Sequence, residues 1–124
     1  MNWPIAIGGV AVVVIFFVLK RLSFVPVAVA RKHLAAGALV IDVRSPEEFR
    51  SGHVANALNI PLAELRESLP RRVMDKNQVL LLHCRSGGRS GIAKQQLKGL
   101  GYLNGFNLGS LARARMICDP ERRD

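Results

Sequence analysis

Acidic residues, cysteines and aromatics are all scarce in this sequence. Only two cysteines, Cys84 and Cys118, stand in 124 residues, and they form no C-x-x-C or other metal-type spacing. That count argues against a disulfide framework and against structural zinc. Phe, Tyr and Trp make up 6% of the chain, so no aromatic platform accompanies its basic excess. Without such a platform or a recognition motif, 18 Lys and Arg against 9 Asp and Glu do not read as a nucleic-acid binder. An anionic membrane surface or a small anionic substrate suits the net charge of +9 better. No internal repeat or low-complexity tract is present. At 49% hydrophobic residues the chain is too apolar for disorder, and its length is that of one domain.

Charge is missing altogether from Ile5 to Leu19 (IAIGGVAVVVIFFVL). From Trp3 the apolar stretch runs 17 residues, the short end of what spans a bilayer as a helix. Trp3 suits an interface, and Lys20 and Arg21 can snorkel. Residues 1–21 therefore read as an N-terminal transmembrane anchor. A cleaved signal peptide and a buried core helix are the rivals. Ala28-Val29-Ala30 resembles a cleavage site, but it lies beyond two charges and a proline. A signal peptide also wants positive charge before its apolar core, whereas here Lys20, Arg21, Arg31 and Lys32 follow it. The positive-inside rule then places the N-terminus outside and the remainder in the cytoplasm. A single-pass protein of a bacterial inner membrane is the expectation.

The remainder divides into residues 22–117, one folded domain, and 118–124, a charged tail. Leu22 to Val25 suggests an edge strand or the exit from the membrane. Pro26 suits a first helical turn, and a helix over Val27 to Ala36 would end at Gly37. Ala38 to Val43 and Gln78 to Leu82 are near-continuous apolar runs, the pattern of strands buried on both faces. Between them, Ser45-Pro46-Glu47-Glu48 carries the spacing of a capping box. Ala57 to Ile60 reads as a short strand, and Leu62 to Leu69 as a helix stopped by Pro70. A helix over Ser90 to Leu100, a strand at Phe106 to Leu108 and a helix over Leu111 to Ile117 follow. Short apolar strands alternating with helices give an α/β fold with a mainly parallel sheet flanked by helices. Reactive sites in such sheets lie beyond the carboxyl ends of the strands.

At one such end stands His83-Cys84-Arg85-Ser86-Gly87-Gly88-Arg89-Ser90. The thiolate, not the thiol, is the nucleophile. Successive amides in a tight glycine loop make an anion nest, and the following helix adds its positive end. Arg85 and Arg89 add full charges. Together they lower the expected pKa of Cys84 without a dedicated base. Asp42, at the end of the other buried strand, is expected to bond loop or helix amides. Arg44 is expected to pair with an acid such as Glu48, His53 to make a fixed hydrogen bond, and His83 to pack. His33 reads as exposed, and Cys118 lies near the tail.

Several stretches, in order, resemble the single-domain rhodaneses. Asp42-Val43-Arg44 resembles the strand-end D-x-R of that family. Glu47-Glu48-Phe49, Gly52-His53-Val54 and Ala57-Leu58-Asn59-Ile60-Pro61 resemble its E-(F/Y)…G-H-I…A-x-N-I-P stretch. Cys84 to Ser90 resembles its active loop, and Gly99-Leu100-Gly101-Tyr102 its L-x-x-x-G-(F/Y) helix end. The resemblance implies a rhodanese-like fold and a sulfurtransferase. Cys84 would be the catalytic nucleophile and would take the outer sulfur of an anionic donor such as thiosulfate as a persulfide. Arg85, Ser86, Gly87, Gly88 and Arg89 would form the anion-binding loop, with Asp42, Arg44 and His53 in support. A thiol or protein acceptor would remove the sulfur. No cofactor and no metal are implied. The resemblance lapses at Gly109-Ser110-Leu111, where Gly-Gly and a following tryptophan are expected, so the closing helix is expected to pack differently or loosely.

Two other functions compete. A cysteine-dependent phosphatase or arsenate reductase needs five residues between cysteine and arginine to ring a tetrahedral anion, and only four separate Cys84 from Arg89. A membrane-tethered sulfur carrier or regulatory module would accept sulfur on Cys84 with negligible turnover.

Overall fold

A computed structural model describes residues 2–120 of the chain. The uncharged N-terminal segment is one helix, α1 (Trp3–Leu22), with Pro4 in its first turn and Lys20 and Arg21 in its last. None of its residues is buried, and it is long and apolar enough to cross a membrane. Its 20 residues span about 30 Å at 1.5 Å per residue, the thickness of a bilayer's hydrocarbon core.

After α2 (Val27–Ala35) the chain alternates β1 (Leu39–Asp42), α3 (Pro46–Ser51) and β2 (Leu58–Asn59). A 3-10 turn at Leu62–Glu64 then leads into α4 (Leu65–Arg72), followed by β3 (Leu80–His83) and α5 (Gly88–Gly99). β4 (Gly105–Gly109) and α6 (Leu111–Cys118) complete the domain. The four strands form one sheet in the order β2-β1-β3-β4, every pair parallel. The fold is therefore the expected α/β sheet flanked by helices.

The alternation of strand side chains explains both halves of the core. Ile41, Val43, Leu80, Leu82 and Cys84 face Leu65 and Leu69 of α4 and Leu97 of α5. Val40, Leu81 and Leu108 face the other way, onto Ala30 of α2 and Ala114 and Ile117 of α6. Both faces are covered, which is why the β1 and β3 segments are apolar throughout. Cys84 continues the alternation of Leu80 and Leu82, so its side chain enters the α4–α5 side.

Several local expectations need correction. Pro70 does not stop α4, which runs on to Arg72. Packing of Leu65, Leu69 and Val73, each at most 5% exposed, outweighs the backbone bond a proline forfeits. His33 is half-buried and stacks on Phe106 with ring centroids 4.8 Å apart. The closing helix does not pack loosely. Ser110 Oγ caps α6 by accepting from the Arg113 amide at 3.1 Å, and Ala114 and Ile117 are buried. Arg31 ties its last turn to α2 by donating to the Met116 and Ile117 carbonyls. The Leu22–Val25 stretch is a stub beside β4: Phe24 forms an isolated parallel bridge to Asn107, and the Val25 amide donates to the Asn107 carbonyl at 2.9 Å. Residues 121–124 of the expected tail lie outside the described residues, and Cys118, placed in that tail, ends α6.

Candidate active site

β1 and β3 end side by side, with Asp42 opposite His83 in the register, and both strand ends feed the site. Cys84 follows at once and is 1% exposed. The chain then turns through Arg85, Ser86 and Gly87 into α5. The turn depends on Gly87, whose φ of +97° is a left-handed value that side-chain-bearing residues avoid. In that conformation the Gly87 amide points back and donates to Cys84 Sγ at 2.9 Å. Ser90 Oγ, one turn into α5, donates to the same sulfur at 3.6 Å.

The loop is fastened from behind by the turn between β4 and α6. The Cys84 amide donates to the Gly109 carbonyl at 3.1 Å, and the Leu111 amide to the Arg85 carbonyl at 3.4 Å. Ser86 bridges Ser110. Asn107, 2% exposed, is the buried hub of this region. Its Oδ1 accepts from the Gly109 amide at 2.9 Å and stands 2.7 Å from Ser90 Oγ, as the alternative to Cys84 Sγ for that hydroxyl's single hydrogen, while its Nδ2 donates to the Gly87 carbonyl at 3.2 Å. Sequence reasoning missed Asn107, because nothing local marks an asparagine inside an apolar strand.

These contacts decide the state of the sulfur. Burial pushes the Cys84 thiol up, but the Ser90 hydroxyl and the amides of Ser90, Ser86 and Gly87 bring it below its ordinary value. Cys118 differs, since burial and then Asp119 push its thiol up. His83 is fully buried, and burial pushes it below its usual value, so its ring is neutral at pH 7 and supplies no cation.

The charged residues pair otherwise than expected. Arg44 does not bind Glu48. It folds back on Asp42, donating through Nε at 2.9 and 3.0 Å and through Nη2 at 2.7 Å. Both are buried, and Arg44 Nη2 also donates to the Gly52 carbonyl at 2.8 Å. Asp42 Oδ1 accepts from the Arg44 amide, so the expected loop-amide bond is there beneath the ion pair. Asn59 closes the corner by donating to the carbonyls of Asp42 and Arg44. His53 makes its fixed bond, with Nδ1 2.8 Å from the Phe49 carbonyl and its ring stacked on Phe49. That bond lies within the α3 corner, and no described contact joins His53 to the loop.

Glu48 instead takes Arg89, which donates to it twice, at 2.6 and 2.9 Å. Glu48 above all, and the Cys84 sulfur after it, push Arg89 above its ordinary value. Arg89 holds Glu48 down to about 2. A depressed carboxylate stabilises the fold above its unfolded value of about 4.3 and loses that contribution as pH falls through the folded value. Urea midpoints of wild type and Glu48→Gln should therefore differ most above about pH 5 and converge toward pH 2; a constant gap across that range would contradict the pairing. Arg85 and Gly88 are exposed on the loop. A recess of about 440 Å³ nearby is lined by Val43, Leu62, Arg66 and Arg89, among others. Among the described residues no group of three His, Cys, Asp or Glu could hold a metal ion.

A parallel α/β sheet with a cysteine loop between a buried strand and a helix N-terminus is the arrangement expected of a rhodanese-like sulfurtransferase. The family model for the rhodanese-like domain matches residues 27–111, and the chain belongs to that family. It is 44% identical over 71 residues to thiosulfate sulfurtransferase PspE of Escherichia coli (strain K12), covering 57% of this chain and 68% of that protein. To the uncharacterized protein YqhL of Bacillus subtilis (strain 168) it is 41% identical over 71 residues, 57% of this chain and 55% of that one. Among solved structures, a rhodanese with anions from E. coli matches at TM-score 0.60 and 40% identity, over 62% of this chain and 91% of that chain. The human single-domain sulfurtransferase TSTD1 matches at TM-score 0.65 and 27% identity, over 82% of this chain and 98% of that chain.

Proposed function

We propose that this protein moves a sulfane sulfur from a small anionic donor such as thiosulfate to a thiophilic acceptor through a persulfide on Cys84. The observation that carries the reading is the Gly87 amide, 2.9 Å from Cys84 Sγ at the start of α5. It offers a preorganised donor to the sulfur anion that attacks. The Cys84 thiolate attacks the outer sulfur of thiosulfate. A Cys84–sulfur bond forms, the donor's sulfur–sulfur bond breaks, and sulfite leaves with the electron pair. An acceptor, cyanide in an assay or a thiol, then attacks the terminal sulfur and releases the thiolate. Such a route is ping-pong.

The donor's negative end needs a cation. Arg89 is largely committed to Glu48. No described carboxylate pairs with Arg85 or with Arg66 of the recess, and these two are the candidates. Purified protein should yield thiocyanate from thiosulfate and cyanide and should not hydrolyse an aryl phosphate. The opposite result would reinstate the phosphatase reading. Sulfur loading on Cys84 without turnover would favour the carrier module.

The length and apolarity of α1 support a single membrane pass, with Lys20, Arg21, Arg31 and Lys32 holding the domain on the cytoplasmic side. In sealed vesicles, protease added at the cytoplasmic face should digest the domain. Digestion only from the opposite face would reverse the orientation.

A further inference from the structure

The stub that leaves α1 ends on the sulfur loop. The Phe24 ring lies so close to Gly87 that a Cβ there would stand 2.7 Å from its Cζ and 2.8 Å from its Cε1. The same ring stands 3.1 Å from a Cβ position on Gly109. These are two of the residues whose backbone holds Cys84: the Gly87 amide donates to the sulfur, and the Gly109 carbonyl receives the Cys84 amide. The ring is itself held in place. Val25, the next residue, donates its amide to Asn107 and accepts from Arg113, whose guanidinium carbon also lies 5.4 Å from the Phe24 ring centroid.

We propose that Phe24 is a positioning residue for Cys84: seated on Gly87 and Gly109, its ring fixes the amide that holds the sulfur, so that the exit of α1 and the reactive loop behave as one unit. The inference rests on reading Cys84 as the nucleophile. No described contact joins Phe24 to the sulfur, and it acts through Gly87. Its role follows from the softness of the loop. Glycine at a positive φ has more backbone freedom than any other residue, and a hydrogen bond weakens steeply as its donor swings out of line. Without the ring, Gly87 would lose the steric stop behind its backbone. The other groups acting on the sulfur would stay: Ser86 and Ser90 of the loop and first turn, and Arg89 from α5.

The test is a series, Phe24→Leu, Phe24→Val and Phe24→Ala, in the full-length protein. The Cys84 titration is read from thiolate ultraviolet absorbance as a difference against the same variant carrying Cys84→Ser. The midpoint should rise as the side chain shrinks. Leu should stay near wild type and Ala should move up by about one pH unit, a tenfold smaller thiolate fraction at pH values below both midpoints. Persulfide formation from thiosulfate should slow tenfold at those pH values and recover at alkaline pH. If Ala does not fold, Val carries the comparison. Variants that melt earlier yet titrate Cys84 as wild type does would overturn the proposal. Sulfur transfer that survives Cys84→Ser would overturn the Cys84 reading instead, whatever the Phe24 series gives.

Discussion

Replacing Cys84 with serine is expected to lower thiocyanate formation from thiosulfate and cyanide by about 10³-fold or more, while the domain still folds. Serine is nearly the same size, and its hydroxyl oxygen can accept from the Gly87 amide that now meets sulfur at 2.9 Å. The chemistry is what disappears. A hydroxyl is not ionised near neutral pH, and its oxygen forms no persulfide with a thiosulfate sulfur. Mass spectrometry after thiosulfate treatment should find one added sulfur atom on wild-type Cys84 and none on the serine variant. Cys118 should remain unmodified, because burial and Asp119 keep its thiol protonated. An adduct on Cys118, or turnover preserved in Cys84→Ser, would move the chemistry elsewhere.

Asp42→Asn is expected to be the most destabilising conservative change, at about 3–5 kcal/mol. Asparagine keeps the shape but removes the charge opposite Arg44, and Arg44 is 4% exposed. Its guanidinium would be left with the Gly52 carbonyl and a neutral amide. His83, though 3.7 Å from Asp42, is kept neutral by burial and cannot compensate. For a domain with about 5–15 kcal/mol in total, the loss should lower a urea midpoint by on the order of 2 M. Asp42→Asn combined with Arg44→Met should recover much of it, because removing both charges costs less than stranding one. A single variant within about 1 kcal/mol of wild type, or a double variant as unstable as the single, would show that the pair does not bear on the fold as described.

The architecture was legible because its signals are local. Two apolar runs of strand length marked β1 and β3, and the Ser45–Glu48 spacing marked α3, whose capping box is formed in both directions. The loop was legible for the same reason: cysteine, glycines and arginine lie within a few residues at a strand-to-helix turn. What escaped sequence reading joins distant segments. Asn107 reaches Ser90 and Gly87 across 17 and 20 positions. Phe24 meets Gly87 through its bridge to Asn107 of β4, far along the chain. The expected partner of Arg44 was an acid such as Glu48. The strand end turned Arg44 back on Asp42 and left Glu48 to Arg89. Pro70 carried a stop signal that core packing overrode.

The near-complete enclosure of Cys84 has a consequence for which atom an incoming nucleophile can reach. A persulfide there would have two electrophilic sulfurs. Attack on the inner one would cap the protein as a mixed disulfide and expel hydrosulfide. With Cys84 1% exposed, that inner atom would be walled in by the loop and the core and the outer sulfur would be the one presented. Delivery would then be favoured over self-blocking.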